Sequence, residues 1–366
     1  MVNSHRRARD AGIAPGILAT GPRNDLTDVA GVQVGHCTVI DERVGFGTSV
    51  TAIRPHDNNP YLHRVPAGYC VGSGYGKLAG GTQIPKLGEL ETPIVLFNTL
   101  STGRAIEAII DWTLSQPGCA NVTSVNAVVG ETNDAPLNDI RRRGIEREHF
   151  WAALGAATSE PLQQGCVGAG AGTRPFGFKG GIGSSSRMVP IAGDSFCVAA
   201  LVQSNFDGVL QLDGETVGKT TERCWSALDP NSTQASGPVM IVVATDAPIS
   251  DRNLGRMAFR AITGIARIGA HLANDSGDYA IAFSTHPEVQ RSDQGSVTRN
   301  CPELSNNAMS GLFIGTMEAV EEAVYNSLFA SESVVSPQPG KMVPSLWDAK
   351  ERNGRPVVSL LTEISA

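Results

Sequence analysis

Short apolar runs punctuated by glycine and proline dominate the first half of the chain. Residues 29–34 (VAGVQV) and 93–97 (PIVLF) have the length and composition of buried strands. From Thr102 to Leu114, apolar Ile106, Ala108, Ile109, Ile110 and Trp112 predict a helix that Thr102 can cap. Residues 122–129 predict a strand leading straight into Gly130-Glu131-Thr132, and 196–203 predict another that stops at Ser204-Asn205. The run 239–244 (VMIVVA) is strongly β-prone. Asp251 can cap the next helix, whose Leu254, Met257, Ala258, Ala261, Ile262, Ile265 and Ile268 keep a 3.6-residue period. A strand over 278–283 and a Glu-rich helix over 317–328 complete the pattern.

Strands followed by helices, without regular βαβ alternation, favour stacked sheets flanked by helices over a doubly wound sheet. No internal repeat is visible. Residues 213–237 are the least regular stretch, and Asp229–Gly237, polar and full of turn formers, predicts an exposed loop. Two glycine-rich runs, 165–173 and 180–186, lack the spacing of phosphate-binding loops, so close backbone packing is their expected purpose.

Composition narrows the function classes. With 366 residues, 41% of them hydrophobic, the chain has ample material for a large core. A net charge of −7 argues against nucleic acid as a partner. The one dense basic run, Arg141-Arg142-Arg143, reads as a solvated helix face. Seven dispersed cysteines without CxxC spacing fit a reduced compartment and mostly inert buried thiols. Neither a secretory signal nor a membrane-spanning run is visible, which predicts a soluble, cytoplasmic protein. The seven histidines show no ligand spacing, so no metal and no cofactor is expected.

Several segments, in one collinear order from about residue 10 to 330, resemble the DmpA-type aminopeptidases, the L-aminopeptidase/D-esterase and β-peptidyl aminopeptidase group. They are 21–36 (GPRNDLTDVAGVQVGH), 72–80 (GSGYGKLAG), 90–94, 98–103 (NTLSTG), 129–134 (VGETND), 165–172, 179–183 (KGGIG), 201–205 (LVQSN), 241–248 (IVVATDAP) and 276–278 (SGD). The resemblance implies an αββα four-layer sandwich, an α/β fold related to the N-terminal-nucleophile hydrolases. It also implies a tetramer or octamer of identical subunits. Members cut themselves once, in front of a Ser or Thr, and the freed residue becomes the nucleophile with its own amine as base. Here the chain would form one domain over 1–366, with 1–237 and 238–366 as the two pieces if cut. The expected partner is a small amine- or amide-containing molecule.

Carried over residue by residue, the resemblance makes Asn205 the oxyanion asparagine, Glu131 the carboxylate that takes the substrate ammonium, and Ser276 and Asp278 the pair that supports the nucleophile. The family commonly has Glu where Asp278 stands, one methylene longer. It also supplies a Tyr hydroxyl near the Glu131 motif, yet no Tyr occurs from Asn121 to Gly144. The largest departure falls on the nucleophile itself. The family's Gly-Ser or Gly-Thr pair corresponds to Gly237-Pro238, and no gap is needed between Pro238 and Ser276. Proline has no hydroxyl or thiol, so it can neither perform the acyl shift that cleaves the chain nor attack an amide. Structurally it is tolerated at the first residue of a strand.

Three readings stay open at this stage. The chain is a binding or scaffold relative that has lost hydrolysis, or it keeps the pocket for non-hydrolytic chemistry such as a tailoring step in secondary metabolism. In the third reading it hydrolyses amides with Ser236 as nucleophile. That would need the strand to slide two residues, about 6.6 Å.

Overall fold

The computed structural model describes residues 6–41, 46–217, 237–292, 297–336, 342–350, 354 and 356–360. The Asp229–Ser236 part of the expected loop, Ser236 itself and Cys224 lie outside these residues.

Two sheets stack face to face. The first runs β1 (Gln33–Asp41), β2 (Phe46–Arg54), β5 (Ile94–Asn98), β6 (Val128–Thr132) and β4 (Leu78–Ala79), in that spatial order. The second runs β3 (His63–Gly74), β10 (Gly277–Ser284), β9 (Val239–Thr245), β8 (Asp194–Ser204) and β7 (Ile182–Ile191), with two-residue strands Arg291–Ser292 and Glu89–Leu90 pairing to β3. Helices α1 (Thr102–Leu114) and α2 (Arg147–Gly155) cover the first sheet, and α3 (Asp251–Arg267) and α4 (Met309–Phe329) cover the second.

Period-2 alternation builds the layers. In β9, Met240, Val242 and Ala244 pack between the sheets with Ile53, Leu96 and Val128, while Val239, Ile241 and Val243 face α3 and α4. Both faces of β9 are therefore apolar, which explains its unbroken hydrophobic run. The αββα sandwich implied by the resemblance is the observed architecture.

The helix over 102–114 and the strand over 239–245 match their expected positions, but the helix caps do not. Thr102 and Asp251 are the first residues of their helices rather than the residues before them. Thr102 bonds back to the Thr99 carbonyl, and Asp251 pairs with Arg291 at 2.8 Å. The run 29–34 is mostly turn, with the strand beginning at Gln33, and 122–127 is not strand. Helix α4 begins eight residues earlier than expected, because Gly311 and Gly315 interrupt its pattern. Those glycines let the helix approach β7, where a Cβ on either would fall within 3 Å of Val189. Arg141 to Arg143 are exposed as expected, but on a single 3-10 turn rather than a helix face.

The glycine-rich runs do serve backbone contact. A Cβ on Gly181 would lie 1.9 Å from the Gly165 carbonyl oxygen. Only Cys119 and Cys197 of the six described cysteines are buried, and all six are free, so the expectation of mostly buried thiols holds for two. Among the described residues no helix is long and apolar enough to cross a membrane.

Candidate active site

Strand pairing gathers the expected site residues at one end of the second sheet. Val239 at the start of β9 stands opposite Ser204 in β8 on one side and Asp278 in β10 on the other. Gly237-Pro238, just before β9, therefore lies between Asn205, which follows β8, and Ser276-Gly277, which open β10. Pro238 is buried.

Asn205 is fixed at both ends of its amide. Its Oδ1 accepts the Arg174 N–H at 2.7 Å, and its Nδ2 donates to the Asn133 carbonyl at 2.7 Å. The same amide lies hard against Gly237, where a Cβ would fall 2.5 Å from Nδ2 and 1.8 Å from the Asn205 carbonyl oxygen. Only glycine fits there. One Nδ2 hydrogen is used by Asn133, which leaves the other for an oxyanion formed at this position.

Ser276 Oγ lies 3.0 Å from the Gly237 carbonyl oxygen and 2.8 Å from Asp278 Oδ1. A hydroxyl carries one proton, so both contacts are hydrogen bonds only when Asp278 is protonated and donates to Ser276. Burial favours that form: the Asp278 carboxyl is pushed up to about 6, opposed by the Ser276 hydroxyl and the Val239 N–H. Among the described residues its buried Oδ2 has no hydrogen-bond partner. Below about pH 6 the protonated Asp278 donates to Ser276, which donates to the Gly237 carbonyl and polarises it; above that pH the single Ser276 proton serves one of the two acceptors.

Glu131 reaches the same region from the first sheet. It sits in β6 opposite Phe97 and is buried. Its Oε1 accepts the Lys77 N–H at 2.9 Å, and Thr99 Oγ1 donates to Oε2. Burial raises its carboxyl, while Thr99 and Lys77 oppose that rise. Gly76 joins this group to the other: a Cβ there would lie 3.0 Å from Gly277 Cα and 3.5 Å from Glu131 Oε1. Asn133, two residues beyond Glu131, accepts from Asn205 and closes the link. All five expected residues thus belong to one connected cluster.

Reading the sequence missed four further members. Lys77 and Thr99 lie within segments 72–80 and 98–103, whose match to the family pointed to them without assigning a role. Tyr279 is a tyrosine at the site, though not from the stretch where one was sought. Its hydroxyl donates at 2.8 Å to the Gly76 carbonyl and lies 3.3 Å from that of Gly74. Burial and Glu131 raise its phenol. Gln203 clamps the sheets, its Nε2 lying within 3.2 Å of Phe97 O, Thr132 Oγ1 and Ala169 O.

Among the described residues no group of three or more His, Cys, Asp or Glu is placed to hold a metal ion. A cavity of about 740 Å³ lined by His56, Asp57, Asp194, Asp246 and His286 lies past the other end of β9, which Asp246 follows. It is separate from this cluster.

The profile of peptidase family S58 matches residues 24–341. The β-peptidyl aminopeptidase BapA of Sphingosinicella xenopeptidilytica is 36% identical over 356 residues, covering 92% of this chain and 88% of its own. A β-aminopeptidase from a Burkholderia species superposes with a TM-score of 0.86 at 34% identity, covering 98% of this chain and 99% of its own. The L-aminopeptidase D-Ala-esterase/amidase of Ochrobactrum anthropi, a variant of the Ntn-hydrolase fold, superposes with a TM-score of 0.83 at 33% identity, covering 93% and 95%.

Proposed function

The chain belongs to peptidase family S58, and from that premise we propose that it is an aminopeptidase-like binding or scaffold protein that neither cuts itself nor hydrolyses amides by the family route. Pro238 stands at the nucleophile position, and the protein works as one uncut domain. It binds a small amine- or amide-containing molecule at Glu131 and Asn205, and it assembles as a cytoplasmic homo-oligomer. The observation that carries this reading is the Ser276 hydroxyl bonded to the Gly237 carbonyl, directly ahead of a residue with no hydroxyl. When Asp278 is protonated the Ser276 proton is committed to this carbonyl, and Pro238 has no hydroxyl to attack it with.

The substitution Pro238→Ser tests this. Restored serine is expected to produce fragments 1–237 and 238–366 and to confer hydrolysis of amides with a free terminal amine. A chain that stays whole would contradict the view that residue 238 alone holds back the family chemistry.

Asp278 supports a second reading, non-hydrolytic chemistry in the same pocket such as a tailoring step in secondary metabolism. A buried carboxyl pushed up to about 6, with one oxygen unpartnered, is suited to proton transfer near neutral pH. Under this reading Asp278→Asn abolishes turnover of the ligand but leaves its binding intact.

A further inference from the structure

Glu131, the proposed ammonium site, already has a cation beside it. Lys77 Nζ lies 3.8 Å from Glu131 Oε1, too far for a hydrogen bond but close enough to offset the charge. The two partners differ sharply in burial, with the Lys77 side chain 50% exposed and that of Glu131 2%. The backbone N–H of Lys77 is fixed to the same oxygen, whereas among the described residues Nζ is otherwise held by the Tyr75 carbonyl at 3.4 Å and by the Tyr75 ring. The ammonium is therefore a half-exposed charge beside the buried Glu131, carried on an anchored backbone. A buried carboxylate without a counter-ion is costly, whereas a half-exposed pair at this distance is weak. Lys77 thus compensates Glu131 when the pocket is empty and yields it readily. Each carboxylate oxygen keeps a lone pair for a ligand.

We propose that Lys77 sets the ligand class of this pocket. A ligand ammonium displaces Lys77 from Glu131, and the released Lys77 ammonium then pairs with a carboxylate on the same ligand. The favoured ligands are small zwitterions with a short spacing between amine and carboxylate. A plain amine must evict Lys77 and leaves its charge without a new partner. This inference rests on Glu131 being the ammonium site.

Binding of β-alanine and of β-alaninamide, which lacks the carboxylate, separates the possibilities. Both are titrated calorimetrically into the full-length protein and into Lys77→Met, Lys77→Arg and Glu131→Gln. The native chain is expected to prefer β-alanine by about tenfold, equivalent to one charge pair. Lys77→Arg keeps that preference. Lys77→Met loses it and binds β-alaninamide more tightly than the native chain, and Glu131→Gln binds neither. If Lys77→Met keeps the native preference while Glu131→Gln binds neither compound, the role of Lys77 is overturned and the amine site stands. If the native chain binds neither compound, or Glu131→Gln binds both as the native chain does, the amine site falls and this inference falls with it.

Discussion

Gly237 and Asn205 are packed so closely that a single methyl group on Gly237 would lie 1.8 Å from the Asn205 carbonyl oxygen. The contact holds the peptide ahead of Pro238 against the Asn205 side-chain amide. Pro238, which follows this glycine, has no hydroxyl or thiol.

Gly237→Ala follows directly from that packing. The added methyl must push Asn205 or β9 aside, at a cost of about 1–3 kcal/mol typical of overpacked sites. Thermal unfolding of the variant should show a lowered Tm. The Asn205 bonds to Arg174 and Asn133 should weaken with it, and ligand affinity should fall.

Asp278 supplies a pH-dependent prediction. Its carboxyl is pushed from an ordinary 3.8 up to about 6 by burial, so the folded state holds a proton that the unfolded chain releases. Stability contributed by this group is present below the unfolded pKa and is lost as pH rises through the folded one. Denaturant unfolding of Asp278→Asn and the native chain should therefore diverge between pH 4 and 6. The variant gains relative stability as pH rises, by up to about 3 kcal/mol for a two-unit shift. A difference that stays constant across this range would show that Asp278 titrates normally.

A second electrostatic test concerns the second sheet and its helix. Arg187 in β7 is fully buried and pairs with Glu318 at 3.1 Å and Glu322 at 2.8 Å, both in α4. It also donates to the Pro15 carbonyl, and Arg9 joins Glu322 at 2.8 Å, so the N-terminal segment is pinned to the same network. Arg187→Met leaves two buried carboxylates short of their cation and should cost about 3–5 kcal/mol. Limited proteolysis should then cut the N-terminal segment first. Unchanged protection of residues 6–24 would show that packing rather than charge holds it.

How much of this was legible in sequence differs from element to element. The β9 run was unmistakable because both of its faces are buried, so no polar residue interrupts it. The start of α4 was hidden because close approach to Val189 demands glycines, and glycine reads locally as a helix breaker. The five expected site residues were named from motifs, and the structure brings them into one cluster. Motifs alone left Lys77 and Tyr279 unassigned, since their parts depend on which carboxylate and which carbonyl the fold sets beside them. Local sequence gives no sign that Gly76 lies against Gly277, because that contact joins the segment after β3 to the start of β10 across about two hundred residues. The missing tyrosine illustrates the same limit: no tyrosine stands near Glu131 in sequence, yet Tyr279 brings its hydroxyl within hydrogen-bond distance of the Gly76 carbonyl.

The covalent state of the purified chain bears most directly on the claim that Pro238 stops the family reaction at its first step. Mass spectrometry under denaturing conditions should find one species of 38.4 kDa. Two fragments meeting at the Gly237–Pro238 bond would contradict the account, because they would show that this bond is broken without a hydroxyl at 238.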